Sequence, residues 1–267
     1  MGTVSKALSL IGFFDRSHPR IGLSELTRLS GMNKATVHRL MNELAVHGYV
    51  EQVGSNREYQ LGPVFLRLAS LREAAVPTRK LTGQVLQQLA DVTGETAHMS
   101  GVQGEILATV DFAYSPAHGT RVMMEDAEVV TFHGTASGLA VLAYASAEFV
   151  DTVLSGALPA RTKDTVTDPA KIRQMLADTR TTGISTYVGG FEKDVHSHAC
   201  PIFDAQQKVI GAVAVAAPTA RMDQQRIANI RREVKRHTLE LTWLLGGFPP
   251  DDYDRTLPAH SRGQAGE

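Results

Sequence analysis

Lys34, Thr36, His38 and Arg39 fall within one short segment, NKATVHRLMNELAV, whose apolar residues recur at helical spacing. On a helix, these four side chains stand on the surface away from the apolar stripe. Basic and hydroxyl groups presented together read base edges and clamp phosphates, so the chemistry they suit is nucleic-acid recognition. Asn33 precedes them as the expected N-cap. Val37 lies between them and is counted both with this reading face and with the core beneath it. Asn56 and Arg57, in a Gly-Ser-Asn-Arg turn, are placed to reach flanking backbone or the minor groove.

A second group suits a different chemistry. His133-Gly134-Thr135-Ala136-Ser137-Gly138 leads directly into an apolar helical stretch. Thr135 or Ser137 can cap that helix. The backbone N–H groups of Ala136 and Ser137 then remain free at the positive end of the helix dipole, a ready site for an anion such as a carboxylate. The bland reading of His133 is a structural hydrogen bond ahead of the helix.

Weaker signals come from His196 and His198. They sit two apart on an expected strand and so point the same way, with Glu192 and Asp194 near in sequence. A third metal ligand at a fixed spacing is missing, so surface or pocket histidines are the better reading and no metal or cofactor is expected. Cys200, the only cysteine, sits beside Pro201 in an apolar run and reads as a small buried hydrophobe. No nucleophile elbow, phosphate-cradling glycine loop or paired-carboxylate signature occurs, so no enzyme is expected.

These groups need elements to hold them. The pattern predicts helices over residues 3–14, from Ser24 as N-cap to Gly31, and from Asn33 to about His47. A hairpin follows, Tyr49–Val53 and Glu58–Leu61 around Gly54-Ser55-Asn56. Together they make a winged helix-turn-helix, which places one helix in the DNA major groove. Thr27 occupies the crowded helix crossing, and Gly31 makes the turn. A helix over 63–76 and another over 78–93 come next. Short β-rich segments follow at 98–101, 106–112, 129–132, 186–188, 196–203 and 209–216. They are interleaved with helices at 136–145, 147–154 and 169–182, and a long helix at 223–245 closes the pattern. The class is therefore α+β. The expected organisation is a DNA-binding domain over 1–62, a linker helix over 63–77, an effector-binding and oligomerisation domain over 78–246, and a disordered tail over 247–267.

Charge follows the same division. Residues 1–62 carry seven Lys/Arg against five Asp/Glu, a net +2, whereas the remainder carries a net −3. A mildly basic head on an acidic body suits a DNA reader joined to a part that does not touch DNA. The apolar residues of the first fourteen positions are helically spaced and no cleavage site follows them, which argues against a leader. No apolar run approaches membrane-spanning length. A cytoplasmic protein without a membrane partner is expected.

Two segments carry a family resemblance. They are SELTRLSGMNKATVHRLMNELAVHGYVE with YQLG, and FHGTASGLAVLA with GGFEKDVHSHACPIFDAQQKVIGAVAVAAPTARM. In order and spacing, the chain resembles the IclR family of bacterial transcriptional regulators from about Val4 to Leu245. The resemblance implies an N-terminal winged helix, a linker helix and a C-terminal effector domain of GAF/profilin-like type. It implies a homodimer or dimer of dimers on palindromic double-stranded DNA operators, controlling catabolic operons in response to a small metabolite. It also implies that Ala136 and Ser137 contact the effector's carboxylate, and that Tyr187, Val195, Ser197, Ala214 and Ala216 line its pocket. Glyoxylate-type relatives have an Asp, a Cys and two Ser where this chain has Tyr187, Ser197, Ala214 and Ala216. A less polar pocket able to stack a ring is therefore expected, and an aromatic carboxylic acid is favoured over 2-oxo acids. A repressor is the favoured sense. The alternatives are a metal-binding or enzymatic sensor domain, or a winged-helix interaction scaffold without a ligand.

Overall fold

The computed structural model describes residues 2–14, 18–75, 78–125 and 129–253, with backbone alone for 72–75 and 78–79. The chain separates into two compact units, residues 1–77 and 78–267.

In the first unit, α1 (Thr3–Ile11), α2 (Leu23–Ser30) and α3 (Lys34–Val46) precede the hairpin β1 (Val50–Val53) and β2 (Glu58–Leu61). Helix α4 (Val64–Ala75) follows. Leu10, Leu26, Val37, Leu40, Met41, Val50 and Tyr59 form one buried cluster. Val37 is fully buried in it, which corrects its assignment to the reading face. On α3 the residues at 37, 40 and 41 turn inward, while 35, 38, 39 and 42 turn out. Asn33 is the N-cap, its side chain accepting from the Thr36 N–H at 2.8 Å. Ser24 is not a cap: the cap falls two residues earlier, at Gly22, which offers no side-chain acceptor, and α2 begins at Leu23. The cause lies upstream, where Ile21 exchanges two backbone hydrogen bonds with Tyr59 and keeps the chain extended up to Gly22. Gly31 holds φ +64°, the left-handed conformation that a sharp interhelical turn requires. Helix α1 stops at Ile11, three residues short of the expected end, where Gly12 follows.

The second unit is built on a six-stranded antiparallel sheet of order β5-β4-β3-β8-β7-β6. In chain order its elements are α5 (Thr78–Thr93), β3 (Thr96–Gln103), β4 (Ile106–Ala113), β5 (Val129–Val130), α6 (Ala136–Tyr144), α7 (Ala147–Ser155), α8 (Pro169–Thr182), β6 (Ser185–Val188), β7 (Val195–Phe203), β8 (Val209–Pro218) and α9 (Gln224–Leu244). One face of the sheet packs on α5 and α9, burying Ala97, Met99, Cys200, Ile202, Val213 and Val215. The other packs on α6 with α7 and α8 behind it, burying Tyr187, Ala199, Ala212 and Ala214. The two-residue period of β8 thus sends Ala212 and Ala214 to one layer and Val213 and Val215 to the other. Strand β5 is shorter than expected, because Phe132 leaves the sheet to pack edge-on against Phe149 of α7.

The expected tail is folded as far as Tyr253. Gly247 donates to the Thr242 carbonyl and Phe248 to that of Asp204. Tyr253 is buried among Tyr144 and Phe203, with its hydroxyl donating to the Gly183 carbonyl. An aromatic residue that finds both an apolar niche and a partner for its hydroxyl orders the segment that carries it. Residues 254–267 lie outside the described residues. Among the described residues, no helix is long and apolar enough to cross a membrane.

Candidate functional site

A partly enclosed cavity opens in the second unit between the N-terminus of α6 and the face of the sheet that carries Ala214. Its position follows from α6 itself. Residues Ala136–Ala143 of this helix are all buried, so it can only lie against the sheet. Thr135 is the N-cap: its Oγ1 accepts from the Gly138 N–H at 2.9 Å and donates to the Thr131 carbonyl at 2.8 Å. The Ser185 hydroxyl donates to the Ala136 carbonyl at 2.6 Å and ties this first turn to β6. A Cβ on Gly138 would lie 2.1 Å from the Phe132 carbonyl oxygen, so only glycine lets the helix start this close to the preceding chain.

All seven residues named from the resemblance as effector contacts stand around this cavity: Ala136, Ser137, Tyr187, Val195, Ser197, Ala214 and Ala216. The space is about 60 Å³, room for a few waters at roughly 10–15 Å³ each. Tyr187 contributes ring rather than hydroxyl, because its oxygen accepts from the Val166 N–H at 2.7 Å. Its ring lies over Gly190, where an added Cβ would meet it at 2.0 Å. The rim is clasped by two threonines, with Thr162 donating to the Gly189 carbonyl and Thr165 to that of Gly190. Met124 lines the wall, whereas Met123 is exposed.

The sequence reading missed His98, which reaches the same cavity from β3. Its Nε2 is 3.4 Å from the Ser137 Oγ, while its Nδ1 is buried without a partner. Burial pushes the imidazole down to about 4, so it is neutral at pH 7. A signal for it existed. Thr96, His98 and Ser100 alternate with Ala97 and Met99, which assigns the polar trio to one sheet face. Among the described residues no Lys or Arg lines the cavity, and Glu192 is the one acid.

Neither His196 nor His198 lines this cavity; His198 is buried rather than on the surface, contrary to expectation, whereas His196 is partly exposed. They face α9, with ring centroids 4.7 Å apart. The Nδ1 of His198 is 2.9 Å from the Thr186 hydroxyl, which accepts from Arg231 of α9. Burial first, then the neighbouring His196 and Arg231, push His198 down to about 3. Among the described residues, no group of three or more His, Cys, Asp or Glu is arranged to hold a metal. His133 bonds the Pro159 carbonyl through Nε2 at 3.1 Å, and Cys200 is fully buried.

In the first unit, Lys34, His38 and Arg39 are exposed on α3, and Thr36 is partly so. Asn33 is exposed, but its Oδ1 is engaged by the cap. Ala35 and Asn42 share the outward face and were not anticipated. On the wing Asn56 is exposed, and Arg57, at φ +52°, folds back to donate to the Gln52 Oε1. A helix face with basic and hydroxyl groups beside a projecting hairpin can grip a duplex at groove and backbone together.

Comparison with known proteins agrees with this division. Residues 3–54 match the model of the IclR helix-turn-helix domain, and residues 74–243 match that of the bacterial transcriptional regulator IclR C-terminal. A crystal structure assigned as an ICLR transcriptional regulator, from Silicibacter sp. TM1040, is 56% identical over 95% of this chain and 100% of that one, with a TM-score of 0.88. The transcriptional repressor IclR of Escherichia coli strain K12 is 25% identical, covering 92% of this chain and 90% of its own. An IclR homolog from Microbacterium hydrocarbonoxydans, solved with 4-hydroxybenzoate, shares the fold at 21% identity and a TM-score of 0.56, over 92% of this chain and 98% of that one.

Proposed function

The chain belongs to the IclR family of bacterial transcriptional regulators, and from that premise we propose that it represses a catabolic operon until a small carboxylic acid, preferably aromatic, fills the cavity at the start of α6. The observation that carries this reading is the meeting of the first turn of α6, His98 and a largely apolar wall in one cavity. The N–H groups of Ala136 and Ser137 receive the carboxylate, and Tyr187, Phe191, Val195 and Ala214 receive the body of the acid. The present space is small, so a ring enters as Met124, unbranched and adaptable, moves aside. The 4-hydroxybenzoate held by the Microbacterium protein supports testing aromatic acids first.

The protein acts as a homodimer or dimer of dimers on a palindromic operator. Large exposed apolar residues on α1 (Val4, Leu8) and α4 (Leu66, Leu71) support self-association of the first unit. Binding of the acid favours one arrangement of paired effector domains over another, and α4 passes the difference to the spacing of the reading helices.

The test has two arms. A thermal-shift screen sets hydroxybenzoates, benzoate and phenylacetate beside glyoxylate and pyruvate. Stabilisation by aromatic acids supports the proposal; stabilisation by 2-oxo acids alone overturns the aromatic preference. For DNA, an operator is selected from random duplexes. Arg39→Ala then lowers affinity by about 30-fold or more, since a lost base-edge contact costs about 1–3 kcal/mol at each of two half-sites. The same variant keeps its thermal response to the acid. Unchanged operator affinity would show that α3 does not read the groove with this residue.

A further inference from the structure

The cavity contains a feature that its proposed ligand does not account for. A carboxylate moved from water into an apolar site needs a compensating charge or several hydrogen bonds. Two backbone N–H groups and the end of a nine-residue helix supply part of this. Among the described residues, no Lys or Arg lines the cavity, and Glu192 at the rim would oppose an anion. Among the described lining residues, His98 alone can become a cation. It is 8% exposed, stands 3.4 Å from Ser137 in the first turn of α6, and has a buried Nδ1 without a partner.

Resting on the carboxylate reading above, we propose that the acid binds together with one proton taken up by His98, so that the ion pair His98–carboxylate is the ligated state of the sensor. Burial keeps His98 neutral in the cavity wall. The arriving anion removes that penalty by supplying the opposite charge. The groups around His98 permit this. Across β4 it faces Phe112, across β8 Ala214, and from α6 Ser137. Among the described residues, the titratable groups that share its cavity are Glu192 and Tyr187, and the Tyr187 oxygen is already bonded to Val166. The regulator would thus respond to acid and proton jointly, reporting the undissociated acid more faithfully than its anion.

Calorimetry tests this on the full chain with 4-hydroxybenzoate, benzoate, phenylacetate, glyoxylate and pyruvate at pH 6 to 8, in buffers of different ionisation enthalpy. The expected result is uptake of one proton and a Kd that falls about tenfold per pH unit as the pH is lowered. His98→Gln, which can bond but not titrate in this range, binds without uptake and with a flat pH profile. Uptake that persists in His98→Gln overturns the inference, because the proton then resides on the ligand or on Glu192. Binding to the wild type without uptake overturns it as well, while leaving the carboxylate reading intact. Failure of every acid to bind overturns that reading and this one with it. Should His98→Gln not bind, the imidazole of His98 is followed by NMR in the saturated wild type. A midpoint above about 8, which full uptake across this pH range requires, supports the proposal, and a lower one overturns it.

Discussion

Gly138→Ala is expected to destabilise the second unit by about 3 kcal/mol or more, the upper end of what overpacking costs. The added methyl would lie 2.1 Å from the Phe132 carbonyl oxygen and 2.4 Å from its Cα. These are backbone atoms, which cannot rotate away as a side chain can. Either Phe132 leaves its contact with Phe149 or α6 lifts from the sheet, and both open the cavity. Chemical denaturation followed by circular dichroism measures the loss, with a fall in Tm of roughly 10 °C. Gly83→Ala in α5 supplies the comparison. Its Cβ meets only the Asp111 carboxylate, at an ordinary 3.5 Å. This substitution should stabilise by about 0.5–1 kcal/mol, the usual gain for alanine over glycine in a helix. The same replacement at two helical glycines should therefore have opposite signs. A neutral Gly138→Ala would mean that α6 does not start as close to Phe132 as described.

Acid should unfold this protein through its buried histidines. His98 and His198 are pushed down to about 4 and about 3, from an unfolded value near 6.5. Burial is the leading cause for both. The unfolded chain consequently binds protons first as the pH falls. The stability is fully present above about pH 6.5 and is lost progressively below it, toward pH 4 and beyond. Each histidine contributes a slope of about 1.4 kcal/mol per pH unit within that window. For His198 the charged form would also stand against Arg231 and the ring of His196. Urea titrations at pH 7.5, 6.0 and 5.0 should show the midpoint falling steeply, and His198→Gln should flatten the slope by about one proton. Equal slopes in wild type and variant would remove His198 from the account.

Much of this was legible in the sequence, for identifiable reasons. The winged helix could be read because caps, glycine turns and a hairpin all agree on the same elements. Asn33 and Gly31 behave as their chemistry requires. Ser24 failed as a cap because a long-range pair, Ile21 with Tyr59, fixes where the helix begins, and no local pattern reports such a pair. Val37 failed as a reader because one step around a helix separates core from surface, and the spacing already placed it with Leu40 and Met41. The cavity wall was reached through resemblance, since nothing in the strand pattern tells a cavity-facing alanine from one pressed against a helix. His98 was visible in the alternation of β3, but a single histidine in an apolar run reads as core until its neighbours are known.

The segment from Gly247 to Tyr253 has a practical consequence. The family pattern ends at residue 243, yet the buried ring of Tyr253 closes the apolar layer beyond it. A truncation placed by that pattern would strip Tyr144 and Phe203 of their aromatic neighbour and leave the Gly183 carbonyl without its donor. Reporter fusions and affinity tags on this regulator therefore belong after residue 253, where they leave the closure of the second unit in place.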